Sequence, residues 1–225
     1  MDICLTVLTD GRKQYIERAI PSWMEQYDSL ISNKFIIDDS GQKDYRAWLK
    51  DYFPSFTIIP VGASRCGYSL AMSKVFSTIL ESKTKYALHL EDDFILNKSV
   101  SLENMVSVLD KNPLVSQMSI MRQPWFANEK ECGGVVEALE QQGNTDFKNM
   151  NTDGHEWVQH SSFWTCNPSI FPSWVAKIGW PEAPWSEMKF GQKLSAKNKV
   201  FGIWGNRSDW VCVEHIGEER SGKEY

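Results

Sequence analysis

Three acids in a row, Glu91, Asp92 and Asp93, follow directly on the apolar run "KYALHL" and precede "FIL". Charged side chains seldom sit between apolar runs unless they are paired or hold a cation. On a strand that is just ending, residues 91 and 93 point to one side and residue 92 to the other. Two hard oxygen donors on one side suit Mg2+ or Mn2+ bridging a diphosphate. In that reading Asp93 is the direct ligand, and Glu91 or Asp92 holds a ribose or a metal-bound water. The plain alternative is a solvated turn. His215, in "VCVEHIG", reads equally as a structural histidine or as an imidazole joining the acids on Mn2+. Glu187, in "PWSEMKF", opens a helix, where acids are favoured in any case. Beside apolar Trp185 and Phe190, its carboxyl pKa would be raised toward that of a general base.

These groups need elements to position them. "ICLTVL" (3–8), "KFIID" (34–38), "FTIIPV" (56–61) and "KYALHLE" (85–91) read as strands. Between them lie a helical stretch with Tyr15, Ile16, Ile20, Trp23 and Met24 on one face, a helix over 45–53, and "LAMSKVFSTILES" with Ser69 as its cap. Strand–helix alternation predicts an α/β fold with a mostly parallel sheet covered on both faces. In such sheets ligands gather at the carboxyl ends of the strands. That edge collects Thr9, Asp10 and Arg12 from the first strand, Asp38 and Asp39 from the second, Arg65 after the third and the three acids from the fourth. Asp38 and Asp39 either cap the next helix or accept hydrogen bonds from a base or ribose. Arg12, Arg65 and Arg220 are candidate phosphate or base contacts. Further on, the pattern predicts a helix opened by Ser101, a strand at 114–121, loops with short strands to about 160, a bent strand at 163–171, a helix at 186–198 and strands at 200–205 and 210–217. The whole reads as one domain, with a nucleotide-binding half (1–100) and an acceptor-binding half (101–225).

Composition narrows the chemistry. The chain has 225 residues, 42% apolar and 24% charged, with a net charge of −5. That balance argues against a large basic face for nucleic acid. Five scattered cysteines with no C-x-x-C pair predict reduced thiols. With no apolar segment near 18 residues and no signal peptide after Met1, a soluble cytoplasmic protein is expected. No phosphate-binding P-loop, dinucleotide fingerprint or nucleophile elbow is present. Ten tryptophans, concentrated in the second half, read as core or as a wall that stacks a ring-shaped ligand.

The ordered set "LTDGR", "IDDSG", "GASRCGYSLAMSKVF", "HLEDDF", a helix opening with "SE", and "EHIG" resembles the GT-A glycosyltransferases of the family-2-like type. "RQPW", "FWTCNPSIF" and "HIGEERSGKEY" resemble more narrowly the small enzymes carried by bacteriophages. The resemblance covers essentially the whole chain. It implies a nucleotide-sugar donor, usually a UDP-sugar, and a divalent cation held by Glu91, Asp93 and His215. It further implies nucleoside contacts from Thr9, Arg12, Asp38 and Asp39, and Glu187 as the base that deprotonates the acceptor. Arg220 and Tyr225 would lie on a tail closing over the diphosphate. The implied acceptor is a hydroxymethylated pyrimidine in DNA, or else a hydroxyl on a virion protein or glycan. Nucleotidyl transfer and an inactive sugar-nucleotide- or DNA-binding module remain the alternatives.

Overall fold

A computed structural model describes residues 1–207 and 211–217. Strand β1 (Ile3–Thr9) is buried at all seven positions, as a strand with both faces covered must be. After it come α1 (Lys13–Tyr27), β2 (Asn33–Asp38), α2 (Lys43–Tyr52), β3 (Thr57–Pro60), α3 (Tyr68–Ser82) and β4 (Tyr86–Glu91). β1 pairs in parallel with both β2 and β4, and β2 with β3. Pro60, which lacks an N–H, ends the edge strand, where no partner needs it. The chain continues through β5 (Phe94–Leu96), α4 (Leu102–Lys111), β6 (Val115–Ser119), α5 (Ala127–Cys132), α6 (Val135–Gln141), β7 (Lys148–Thr152), β8 (His155–His160), β9 (Ser169–Pro172), a 3-10 turn (Ser173–Ile178), α7 (Ser186–Ser195), β10 (Val200–Trp204) and β11 (Val213–His215). The main sheet has nine strands in the order β3-β2-β1-β4-β9-β6-β10-β8-β7.

Alternation along the strands builds two cores. Ile3, Leu5 and Val7 of β1 and Leu88 and Leu90 of β4 pack under Ile16, Ile20 and Trp23 of α1, Leu49 of α2 and Met105 and Val108 of α4. Cys4, Ile37, Ala87 and Phe171 face Met72, Val75 and Phe76 of α3 and Phe190 and Leu194 of α7. The parallel α/β half matches the sequence reading, and Ser101 caps α4 by accepting from the Asn104 N–H.

Four local expectations change. Ser69 does not cap α3: the helix begins two residues earlier than expected, at Tyr68 behind Gly67, and Ser69 Oγ donates to the Pro181 carbonyl instead. The stretch read as loops contains α5 and α6. Each is under two turns long, too short to show a periodic stripe, and the Gly133–Gly134 break separates them. Of 163–171 only the end is strand, because the backbone before it serves a buried glutamine and a helix-terminal acid. Of 210–217 only Val213–His215 is described as strand. It pairs with β5 in a separate two-stranded ribbon that sets His215 opposite Phe94. Among the described residues, no helix is long and apolar enough to cross a membrane, and no disulfide joins any of the five cysteines.

Candidate active site

The carboxyl ends of β1, β2 and β4 meet at a small slot lined by Thr9, Asp10, Arg12, Asp39, Arg65 and Tyr68, among others. Asp39 builds one wall. Its two carboxylate oxygens accept the Cys66 and Gly67 N–H groups at 2.8 and 2.9 Å, tying the loop that carries Arg65 to the end of β2. Gly41 lets the two loops touch: it has φ +69°, and a Cβ there would lie 2.6 Å from the backbone of Ser64 and Arg65. Replacing Asp39 by Ala should therefore cost about 2 kcal/mol, the scale of losing charge-assisted bonds to part-buried N–H groups. A lower urea midpoint at an unchanged slope would register it.

Asp38 departs from expectation. It is fully buried and lines neither this slot nor the neighbouring cleft. Its oxygens accept from Ser40 N at 2.9 Å and Arg46 Nε at 2.8 Å, so it fixes the β2–α2 turn rather than reaching a nucleoside. Asp92 is likewise internal, at 0% exposure. It accepts from Thr9 Oγ1 at 2.6 Å and from Arg12 Nη2 at 2.5 Å. Burial, opposed by Arg12 and reinforced by Asp93, pushes the Asp92 carboxyl up to about 7. Thr9 lines the slot but turns its hydroxyl to Asp92 and to Tyr45. The Asp92 side chain is thus an anchor for Arg12 and Thr9, not a ribose or metal-water contact.

Arg12 reaches three acids: Asp10 at 2.8 Å, Asp92, and Asp93 Oδ2 at 2.8 Å. This field outweighs its partial desolvation and raises its pKa further. Arg65, more exposed, contacts Asp10 at 2.9 Å.

Glu91 and Tyr68 line both the slot and a larger cleft of about 540 Å³, which also holds Asp93, His215 and Glu187. His215 Nε2 lies 3.3 Å from Asp93 Oδ2. Its ring stacks on Phe94 at 4.7 Å and meets Trp125 edge-on at 4.2 Å. Gln123 brackets its backbone, accepting from His215 N at 2.9 Å and donating to His215 O at 3.0 Å. Burial acts to raise the Asp93 pKa, but contacts from His215 and Arg12 outweigh it and hold the group below the usual range. Asp93 Oδ1 is buried and has no hydrogen-bond partner among the described residues. Gly217 leaves open a point 2.3 Å from Asp93 Oδ2 and 3.1 Å from His215 Nε2, which any Cβ would fill.

A hard carboxylate with an unsatisfied oxygen, beside an imidazole, fits a divalent cation whose other ligands come from phosphate and water. Glu91 lines the same cleft as Asp93 and His215, and among the described residues no three His, Cys, Asp or Glu side chains stand together as a metal cluster. Glu91 also exerts its field on Tyr68 and Cys166.

Glu187 stands in the first turn of α7, and its Oε1 accepts the Cys166 N–H at 2.7 Å. Burial raises its carboxyl pKa, against the Cys166 N–H and the Thr165 hydroxyl, which lower it. The expected source of burial is only half right. Phe190 lies in the core beneath, but Trp185 is 64% exposed; Tyr68, Trp164 and Cys166 enclose the carboxylate's cleft. Trp125, Phe126, Phe163 and Trp164 form its aromatic wall, while Trp23, Trp157 and Trp180 belong to the core. Arg122 also faces the cleft, clamped bidentately by Glu129 at 2.8 and 2.9 Å. Sequence reading missed Gln117, Gln123, Arg46 and the Arg122–Glu129 pair, because isolated polar residues carry no local signal of the backbone they will bracket. Arg220 and Tyr225 lie outside the described residues.

No protein-family model matches the chain, and neither does any curated protein. Solved structures do. Mannosyltransferase PcManGT from Pyrobaculum calidifontis, in complex with GDP-Man and Mn2+, superposes with a TM-score of 0.67 over 98% of this chain, at 12% identity. S. aureus TarS 1-349 in complex with UDP-GlcNAc superposes with a TM-score of 0.65 over 100% of it, at 14% identity. The fold is GT-A. The chain spans 58% and 60% of the lengths of those two proteins.

Proposed function

We propose that the protein is a metal-assisted glycosyltransferase that moves a sugar from a nucleoside-diphosphate donor, UDP-sugar first among them, to an acceptor hydroxyl. One observation carries the reading. Asp93, His215 and Glu187 face a single cleft, and that cleft joins the slot at the strand ends through Glu91 and Tyr68. PcManGT is solved in complex with GDP-Man and Mn2+, and TarS in complex with UDP-GlcNAc.

In this mechanism the nucleoside occupies the slot beside Asp39, and the phosphates lie toward Arg12 and Arg65. Asp93 and His215 would hold a divalent cation, which would supply Lewis-acid neutralisation of the diphosphate. Glu187 takes the proton of the acceptor hydroxyl as its oxygen bonds to the anomeric carbon and the carbon–oxygen bond to the diphosphate breaks. The aromatic wall from Trp125 to Trp164 seats a flat or ring-shaped acceptor and keeps water, the competing nucleophile, away. A hydroxymethylated pyrimidine in phage DNA has such a ring and a primary hydroxyl; so does a pyranose on a glycan or protein.

The test is a donor panel of UDP- and GDP-sugars with Mn2+, read by nucleoside diphosphate release. Acceptors are hydroxymethylated DNA, unmodified DNA and oligosaccharides. Metal-dependent release stimulated by one acceptor is the expected result. Pyrophosphate release would point to nucleotidyl transfer, and no release with any donor would sink the proposal.

A further inference from the structure

We infer that Gln117, a residue of β6 that lines neither the slot nor the cleft, is a positioning residue for Glu187, acting through the Thr165–Cys166 backbone. This rests on the reading of Glu187 as the base. Gln117 is 1% exposed, in the middle of the sheet. Its amide spends both ends on one residue: Nε2 donates to the Thr165 carbonyl at 2.5 Å, and Oε1 accepts the Thr165 N–H at 3.1 Å. Nε2 also donates to Ser169 Oγ at 2.8 Å, which ties the amide to β9. The bracketed segment has no strand partner of its own, so Gln117 stands in for the missing ladder. The next N–H along, that of Cys166, is the one Glu187 accepts.

The other side of the segment is held by close approach. Gly191 of α7 faces Trp164, and a Cβ there would lie 3.0 Å from the Trp164 N and 3.2 Å from its Cβ. Sheet and helix thus grip 164–166 between Gln117 and Gly191, and the grip sets the angle at which an N–H meets Glu187. Tyr68 from α3, Glu91 from β4, Asp93, Arg122 after β6 and His215 from β11 also line the cleft, and Cys166 lies on the gripped segment itself.

Removing the bracket frees the Cys166 N–H to turn away. Glu187 then loses a donor that favours its ionised form, and its pKa rises. The experiment measures the pH dependence of kcat and KM for Gln117→Met, which removes both amide ends, and for Ser169→Ala, which only loosens them. Thermal melts and donor titration identify folded protein. We expect the acid limb of kcat to move up by about one pH unit in Gln117→Met, the scale set by losing one hydrogen bond to a charged group. Ser169→Ala should move it less, in the same direction, with donor KM unchanged in both. A merely structural role predicts lower stability with an unmoved limb, and that result overturns the inference. So does an unmoved limb in Ser169→Ala if Gln117→Met proves unfolded. If Glu187→Gln keeps full activity, the underlying reading fails instead.

Discussion

Glu187→Gln is expected to lower kcat by about 10²- to 10⁴-fold, the usual worth of a positioned general base, with donor affinity unchanged. Gln keeps an oxygen for the Cys166 N–H, so the 2.7 Å contact survives and the loss isolates proton transfer. The wild-type profile supplies a second check. Burial raises the Glu187 pKa, and the base must be ionised to act. Activity should therefore rise with pH through a value above that of an ordinary glutamate. The sign for stability is the reverse. A carboxyl that holds its proton more tightly in the folded state favours folding at low pH and loses that contribution as pH rises through its folded pKa. Glu187→Gln should accordingly match or exceed wild type in thermal stability above that pKa. A variant with wild-type kcat, or an acid limb at the ordinary glutamate value, would refute the assignment.

Asp93→Asn should abolish Mn2+-stimulated turnover, a loss of about 10³-fold given several kcal/mol of charge stabilisation by the cation. Arg12→Met should act oppositely on the metal alone. The Arg12 guanidinium stands 2.8 Å from Asp93 Oδ2, on the same carboxylate whose Oδ1 a cation would take. Removing it should tighten Mn2+ binding without donor, followed by the paramagnetic signal of free Mn2+. The same variant leaves buried Asp92 without its cation, so stability should fall by roughly 3 kcal/mol. Unchanged Mn2+ affinity in both variants would show that neither group meets the metal.

Much of the first half was legible from residue order. β1, β2 and β4 are continuous apolar runs ending in polar groups, and a parallel sheet must deliver those groups to one edge. Thr9, Arg12, Asp39, Arg65 and Glu91 all reach the slot at that edge. Period-two alternation also placed Glu91 and Asp93 on the cleft and kept Asp92 off it. Asp38 and Asp39 were indistinguishable in sequence. One became a turn anchor for Arg46 and the other a wall of the slot, because adjacent residues at a strand end face opposite ways.

The amino-acid sequence by itself determined the α/β class, the chemistry at the strand ends and Glu187 at a helix start, since these depend on local periodicity and residue type. Tertiary structure alone decided which carboxylates face the cleft and which are struts. His215 reaches Asp93 only because β11 leaves the main sheet to pair with β5. The N–H that Glu187 accepts lies on backbone held by Gln117, 48 residues away from Thr165 in sequence. Contacts of that range depend on how separate elements pack, and no local pattern encodes them.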